Sequence, residues 1–267
     1  MSRDEEPLER LTLRLPPRTA AAVGRGTISL DGFRSDRVIS ECVRRTGSWE
    51  PAIMEVIVEK LPEGGTFIDV GANIGIHSMV AALRVGSHGR VLAVEASPVT
   101  YPLLEKNLAA TGHPGVTTLH QAVWDQDAAL AFCHQPNAPG GSHVGAGDGD
   151  AFLVPGRPLD DLVDAHGVTR VDVIKLDIEG AEMKALLGSQ KTLQDKRPTL
   201  LMEVNPLPLL GVSGVPAADL YHWIRHRGYR VQVFTPAGLV QASDYSVLET
   251  LLERCVLLDV VCEPESV

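Results

Sequence analysis

From about residue 51 onward, short runs of consecutive apolar residues alternate with stretches whose apolar positions recur every three to four residues. The apolar runs are 66–70, 90–95, 116–123, 171–177, 199–205, 229–234 and 254–261, with a weaker one near 129–133. Buried strands read this way, and the amphipathic stretches between them at about 51–61, 75–85, 98–111, 179–187 and 217–227 read as helices. Alternation of strand and helix predicts an α/β fold with a parallel sheet covered on both faces. Residues 1–49 mix charge, Pro16-Pro17 and apolar positions without a sustained period. They predict one or two strands or short helices forming an N-terminal cap on a domain of residues 50–267. Residues 134–150 are rich in Gly, Asn, Pro, His and Asp and predict a mobile loop. A loop that long inside a compact domain is usually functional.

Four of the predicted strands end on a carboxylate: Asp69, Glu95, Asp177 and Glu203. Ligands of such a sheet lie beyond the carboxyl ends of its strands. After Asp69 the chain reads Val70-Gly71-Ala72-Asn73-Ile74-Gly75-Ile76-His77-Ser78, a glycine turn leading into a helix. Glycine turns bring backbone N–H groups close to a ligand. A dinucleotide fingerprint would need glycine at 73 and 76, where this chain has Asn73 and Ile76. Asp69 would also repel a pyrophosphate. An acid followed by this turn suits a nucleoside cofactor with a cationic amino-acid end, and S-adenosylmethionine is the candidate. Glu95 lies twenty residues beyond Gly75, the distance at which nucleotide binders place an acid on the ribose hydroxyls.

Charge and composition narrow the acceptor. The chain of 267 residues carries a formal charge of −10 and is 4% aromatic, so it would repel a phosphate backbone and offers few rings to stack on bases. Asn205-Pro206 is followed by Leu207-Pro208 without a ring, unlike base-modifying enzymes that stack one on a flipped base. Nucleic acid is therefore disfavoured and a small molecule favoured. Cys42, Cys133, Cys255 and Cys262 make no C-x-x-C pair, as expected for reduced thiols. Met1 to Glu6 is acidic and lacks the apolar core of a signal peptide, and no apolar run approaches the ~20 residues of a membrane span. The expectation is a cytoplasmic protein without membrane contact, with a homo-oligomer left open.

Several stretches together resemble the FkbM family of S-adenosylmethionine-dependent methyltransferases. They are Trp49-Glu50-Pro51, Phe67 to Gly75, Val94-Glu95-Ala96-Ser97-Pro98, Leu159-Asp160-Asp161-Leu162 and the run from Ile174 through Lys175, Asp177 and Gly180 to Glu182. The glycine turn marks only class I methyltransferases, whereas the Ile174–Glu182 run is more specific. The resemblance implies a Rossmann-like, doubly wound seven-stranded sheet with a last antiparallel strand beside the sixth. It also implies methyl transfer, usually to a hydroxyl of a sugar or a small natural product. By the same resemblance Asp69, Gly71, Asn73 and Gly75 surround the methionine end, Glu50 closes that pocket, and Glu95 with Ala96 takes the ribose. Ala122-Val123, with Asp125 beyond, would flank the adenine.

An alcohol is a poor nucleophile, so the acceptor must be aligned and a proton removed. Asp177 is the base candidate, with Lys175 two residues earlier on the same strand face. Glu203 and Lys175 would hold the acceptor or the base. Asp177, Glu203 and Asn205 could instead bind Mg²⁺ through oxygen ligands, a reading allowed but not favoured. His77, at the start of the helix after the turn, is a candidate for orienting the methionine end or the acceptor. Ser142, His143 and Asn205 are candidate acceptor contacts. Glu179 is expected in the first turn of the following helix, and Glu182 on its solvated face. Two other readings compete: a nicotinamide-dependent oxidoreductase, and a cofactor-binding scaffold without catalysis.

Overall fold

The computed structural model describes residues 6–265. The acidic start read above and the last two residues of the expected domain lie partly outside them. The chain opens with β1 (Leu8–Arg14), α1 (Pro17–Val23), β2 (Thr27–Phe33), α2 (Ile39–Thr46) and α3 (Pro51–Lys60). It continues through β3 (Thr66–Val70), α4 (Ile76–Val85), β4 (Arg90–Glu95), α5 (Tyr101–Ala109), β5 (Val116–His120), β6 (Ala122–Val123) and β7 (Ala128–His134). After β8 (His143–Val144) and β9 (Asp150–Arg157) come α6 (Leu159–Ala165), β10 (Val173–Leu176), α7 (Glu182–Leu187), α8 (Gln190–Lys196) and β11 (Thr199–Val204). The last elements are α9 (Pro206–Ser213), α10 (Ala217–His226), β12 (Tyr229–Thr235), β13 (Gly238–Ala242), α11 (Tyr245–Leu252) and β14 (Leu258–Pro264).

The large sheet has the order β13-β12-β14-β11-β10-β3-β4-β5. β5, β4, β3, β10 and β11 run parallel, and β14 enters antiparallel between β11 and β12. Parallel strands are covered on both faces, so they read as unbroken apolar runs: every residue of β3 is buried. One core fills each face, one around Ile68, Val94, Ile174 and Met202, the other around Phe67, Val80, Val91 and Leu201. The sheet has eight strands instead of the expected seven. The eighth, β13, is an edge hairpin strand whose residues are exposed except Ala242, which removed the apolar signal.

The first strands form a separate antiparallel pair, with Leu11, Leu13, Ile28 and Leu30 buried in the same core as Met54 and Val80 of the sheet's helices. Asn107 of α5 ties this pair down. Its Nδ2 donates to the Asp31 carbonyl at 2.9 Å, and its Oδ1 accepts from the Asp31 N–H at 2.8 Å.

Four further expectations are corrected. The run 116–123 is two strands in two sheets: the Gln121 N–H still bonds the Glu95 carbonyl, but Ala122 and Val123 pair with Gly156 and Arg157 of β9. Residues 134–150 are not one open loop. They begin in β7, hold a short turn of helix at Pro139–Gly141 and β8, and end at the unread strand β9, whose Pro155 and Gly156 masked it. The helix after β10 starts at Glu182, because Glu179 (φ 50°) and Gly180 (φ 99°) are left-handed and break the helical path. The last strand runs 258–264, since residues 254–257 are exposed at the end of α11.

Candidate active site

The carboxyl ends of β3, β4, β10 and β11 open into a cavity of about 430 Å³. One side of it is built by the β3–α4 turn. Asp69 is buried at the end of β3; its Oδ2 accepts from Ser78 Oγ at 2.6 Å, and Oδ1 has no hydrogen-bond partner among the described residues. Burial raises its carboxyl above the usual range, while nearby Lys175 opposes that shift. Glu95 ends β4, buried; its two oxygens accept the N–H groups of Asn73 at 2.9 Å and Ser97 at 2.8 Å. Burial pushes it up to about 7, and those two N–H bonds pull the other way. A carboxylate offers about four acceptor positions, so each oxygen keeps one for a ligand hydroxyl.

The glycine turn does not present N–H groups to the cavity, contrary to expectation. Gly71 and Ala72 N–H both bond the Val94 carbonyl, Asn73 bonds Glu95, Ile74 bonds its neighbour's Asn73 Oδ1, and Gly75 bonds the Ala72 carbonyl. The glycines serve packing. A Cβ on Gly71, at φ 82°, would stand 1.9 Å from the Asp177 carbonyl, so the turn seats directly against the segment that follows β10. Gly75, at φ 93°, would meet Leu104 at 2.9 Å.

Across the cavity the polar lining is acidic. Lys175, buried on β10, donates from Nζ to Asp177 Oδ2 at 2.8 Å. One carboxylate oxygen from each of Asp177, Glu179 and Glu203 lies within 4.8 Å of the others, and Asp259 stands opposite Glu203 in the β11–β14 register. Burial first, then the charges of Asp177 and Glu179, raises Glu203 to about 9. Burial and Asp177 raise Glu179 to about 7 and Asp259 to about 6. Glu50 sits in a left-handed conformation (φ 37°) immediately before α3, and its Oε2 lies 3.4 Å from His77 Nε2. Burial and Asp177 raise Glu50 to about 8, and burial holds His77 well below its usual value, hence neutral. Two segments roof the space: Val38, Ile39 and Trp49 from the N-terminal part, and Ala138 to Ser142 with Val144. They meet where the Arg37 N–H bonds the Asn137 carbonyl at 2.9 Å.

Of the residues read from sequence, Glu50, Gly71, Asn73, His77, Glu95, Ala96, Ala122, Val123, Ser142, Lys175, Asp177 and Glu203 line the cavity. Asp69 and Gly75 stand behind its wall. Asp125 does not reach it; its Oδ2 accepts from Lys184 Nζ at 2.7 Å. His143 turns its Nδ1 to the Gly141 carbonyl, and Ser142 Oγ accepts from the Gln135 N–H, so the loop's polar groups bond within the loop. Asn205 precedes α9 without lining the cavity, and Glu179 takes its place beside Asp177 and Glu203. Asp259 was missed because its strand was placed too early. Glu182, expected on a solvated helix face, is buried and accepts from the Ile178 and Gly180 N–H groups.

Over residues 69–231 the chain matches the family described as the methyltransferase FkbM domain. It is 28% identical over 146 residues to hexuronic acid methyltransferase AglP of Haloferax volcanii, covering 54% of this chain and 58% of that protein. It is also 28% identical over 166 residues to methyltransferase sdnD of Sordaria araneosa, covering 49% of this chain and 62% of that one. The chain thus matches about three fifths of the length of these curated relatives. Among solved structures it resembles methyltransferase FkbM from Methylobacillus flagellatus, at 16% identity and a TM-score of 0.46, covering 92% of this chain and 58% of that one. No helix among the described residues is long and apolar enough to cross a membrane.

Proposed function

Because the chain belongs to the methyltransferase FkbM domain family, we propose that it transfers a methyl group from S-adenosylmethionine to a hydroxyl of a small polar metabolite, a sugar or a sugar-bearing natural product. This reading replaces the nicotinamide-dependent alternative. When bound, the cofactor supplies a methyl activated by its sulfonium. The residues present fit it. Glu95 keeps acceptor positions for the ribose hydroxyls, and Asp69, behind the wall with Oδ1 unpartnered among the described residues, sets a carboxyl near the methionine end. Ala122 and Val123 offer the adenine an apolar wall.

The observation that carries the reading is the meeting of Asp177, Glu179 and Glu203 across the cavity from Glu95. Asp177, oriented by Lys175 Nζ, takes the proton of the acceptor hydroxyl. Glu203, raised to about 9, holds a proton at neutral pH and donates a hydrogen bond to a neighbouring acceptor oxygen. The N-terminal segment and the 138–144 segment exclude water above them. The likeness to a hexuronic acid methyltransferase supports a sugar acceptor, and the formal charge of −10 supports a small molecule over nucleic acid. Incubation with labelled S-adenosylmethionine and a panel of hexosides and hexuronosides, read by mass spectrometry, tests this. The expected product gains one methyl on oxygen; a methyl on nitrogen, on RNA or on protein would overturn it.

A further inference from the structure

We propose that Glu182 is the positioning residue of the acid cluster: its carboxylate clamps the turn between β10 and α7 and so fixes where Asp177 and Glu179 stand relative to Glu203. The inference rests on the acceptor side being the seat of methyl transfer, as proposed above.

The turn's own backbone closes it with a long bond, from the Ala181 N–H to the Ile178 carbonyl at 3.3 Å, and leaves the Ile178 and Gly180 N–H groups to a side chain. Glu179 at φ 50° and Gly180 at φ 99° are consecutive left-handed residues, and a glutamate has a Cβ that disfavours that region. A residue with a Cβ so placed persists only where surrounding contacts over-determine it, whereas Gly180 takes this region freely. Glu182 supplies the central contact. A single oxygen, Oε1, accepts the N–H of Ile178 at 3.1 Å and of Gly180 at 3.3 Å, bracketing Glu179 on both sides. The side chain is 2% exposed, although acids of this kind are almost never fully buried without partners.

Further contacts hold the flanks of the turn. Asp177 N–H bonds the Val70 carbonyl at 3.1 Å, Ser213 Oγ donates to the Gly180 carbonyl at 2.6 Å, and a Cβ on Gly180 would stand 2.3 Å from the Pro208 carbonyl. The middle, where Glu179 points its carboxylate toward Asp177 and Glu203, is held by Glu182. Glu182 does not line the cavity, so it acts through the turn and not by touching the acceptor.

The test compares Glu182→Gln, whose amide oxygen still accepts both N–H groups, with Glu182→Ala, which removes the acceptor. Amide hydrogen exchange at Ile178 and Gly180 reads the clamp directly and needs no acceptor. Protection is expected in the wild type and in Glu182→Gln, and its loss in Glu182→Ala. With methyl glucopyranosiduronate as acceptor probe, Glu182→Ala should lower kcat by about 10²-fold, the cost of a displacement of about 1 Å. Its S-adenosylhomocysteine affinity should stay within about threefold, and Glu182→Gln should restore kcat to within a similar factor. Should the alanine variant not fold, Glu182→Asp, one methylene too short to bridge both amides, should show the same loss. Unchanged exchange protection in the alanine or aspartate variant, or a Glu182→Gln as impaired as Glu182→Ala, would overturn the proposal. If the wild type methylates no glycoside while binding S-adenosylhomocysteine, the acceptor reading fails, and the exchange result still decides the clamp.

Discussion

The two ends of the cavity are built from the same kind of part, an acid at the end of a parallel strand raised by burial, yet they differ in how far the backbone satisfies those acids. At the cofactor end, Glu95 is buried with both oxygens bonded to backbone N–H groups, and Asp69 is bonded to Ser78. The protein fixes these acids itself, so the cofactor meets a formed surface. At the end proposed for the acceptor, Glu203 Oε1 is enclosed without a hydrogen-bond partner among the described residues, and Glu50, Glu179, Glu203 and Asp259 are raised by burial and by Asp177. Lys175 opposes the rise at Glu50 and Asp259 and His143 opposes it at Glu179, but Lys175 is committed to Asp177. Satisfied groups give rigidity and a fixed binding mode. Unsatisfied, proton-holding groups give chemistry, because their charge state changes when an acceptor arrives.

The difference is broken hardest at Asp177. Asp177→Asn should lower turnover by about 10²–10⁴-fold, the usual value of a general base, while S-adenosylhomocysteine affinity by calorimetry stays nearly unchanged. Turnover abolished by EDTA and restored by Mg²⁺ would make Asp177, Glu179 and Glu203 ligands instead. Glu95→Ala acts on the other end alone. It should weaken S-adenosylhomocysteine binding by about 1.5–3 kcal/mol, the value of hydrogen bonds to a charged group. It should also lower the melting temperature, because the Asn73 and Ser97 N–H groups lose their acceptor.

Gly71→Ala probes the seam between the ends. Its methyl would collide with the Asp177 carbonyl at φ 82°, so about 1–3 kcal/mol of stability should be lost. Both cofactor affinity and turnover should fall together, unlike in the two acid variants.

The smallest effect is the pH dependence of the ligand-free protein. Glu203 at about 9, Glu50 at about 8, and Glu95, Glu179 and Glu182 at about 7 all lie above the ordinary value of 4.5. A raised acid binds more protons folded than unfolded, so its contribution is complete below about 4.5 and is lost as pH rises through the folded value. The melting temperature should therefore decline from about pH 4.5 to 9, with all five acids contributing up to about 7 and Glu50 and Glu203 above it, and Glu203→Gln should flatten the upper part of that decline. A melting temperature that rises over this window would refute the proton-holding acceptor end.

Most of the large sheet was legible because parallel strands buried on both faces leave short unbroken apolar runs, set off by the helical periodicity between them. Strands of the small sheet and the edge hairpin were not. β9 contains Pro155 and Gly156, and β13 is exposed, so neither carries that signal. The same contrast runs through the site. Asp69, Glu95, Asp177 and Glu203 were readable as acids closing apolar runs. Glu179 and Asp259 were not, since their places depend on a left-handed backbone and on a strand boundary.

By itself the sequence determined the buried strands of the large sheet, the helices α3, α4, α5, α7 and α10 between them, the acids at the strand ends and the resemblance that the family match bears out, because period and local spacing are written residue by residue. Only the tertiary structure decided the charge state and the partners of those acids. Glu182 is a helical acid in sequence, but it turns inward under a loop capped by Ser213 and Pro208, some thirty residues away. Asn205 and Asp125 look like site residues and face elsewhere. Whether a carboxyl is solvated, clamped or forced to keep its proton depends on what distant segments bring against it, and burial of that kind has no local signature.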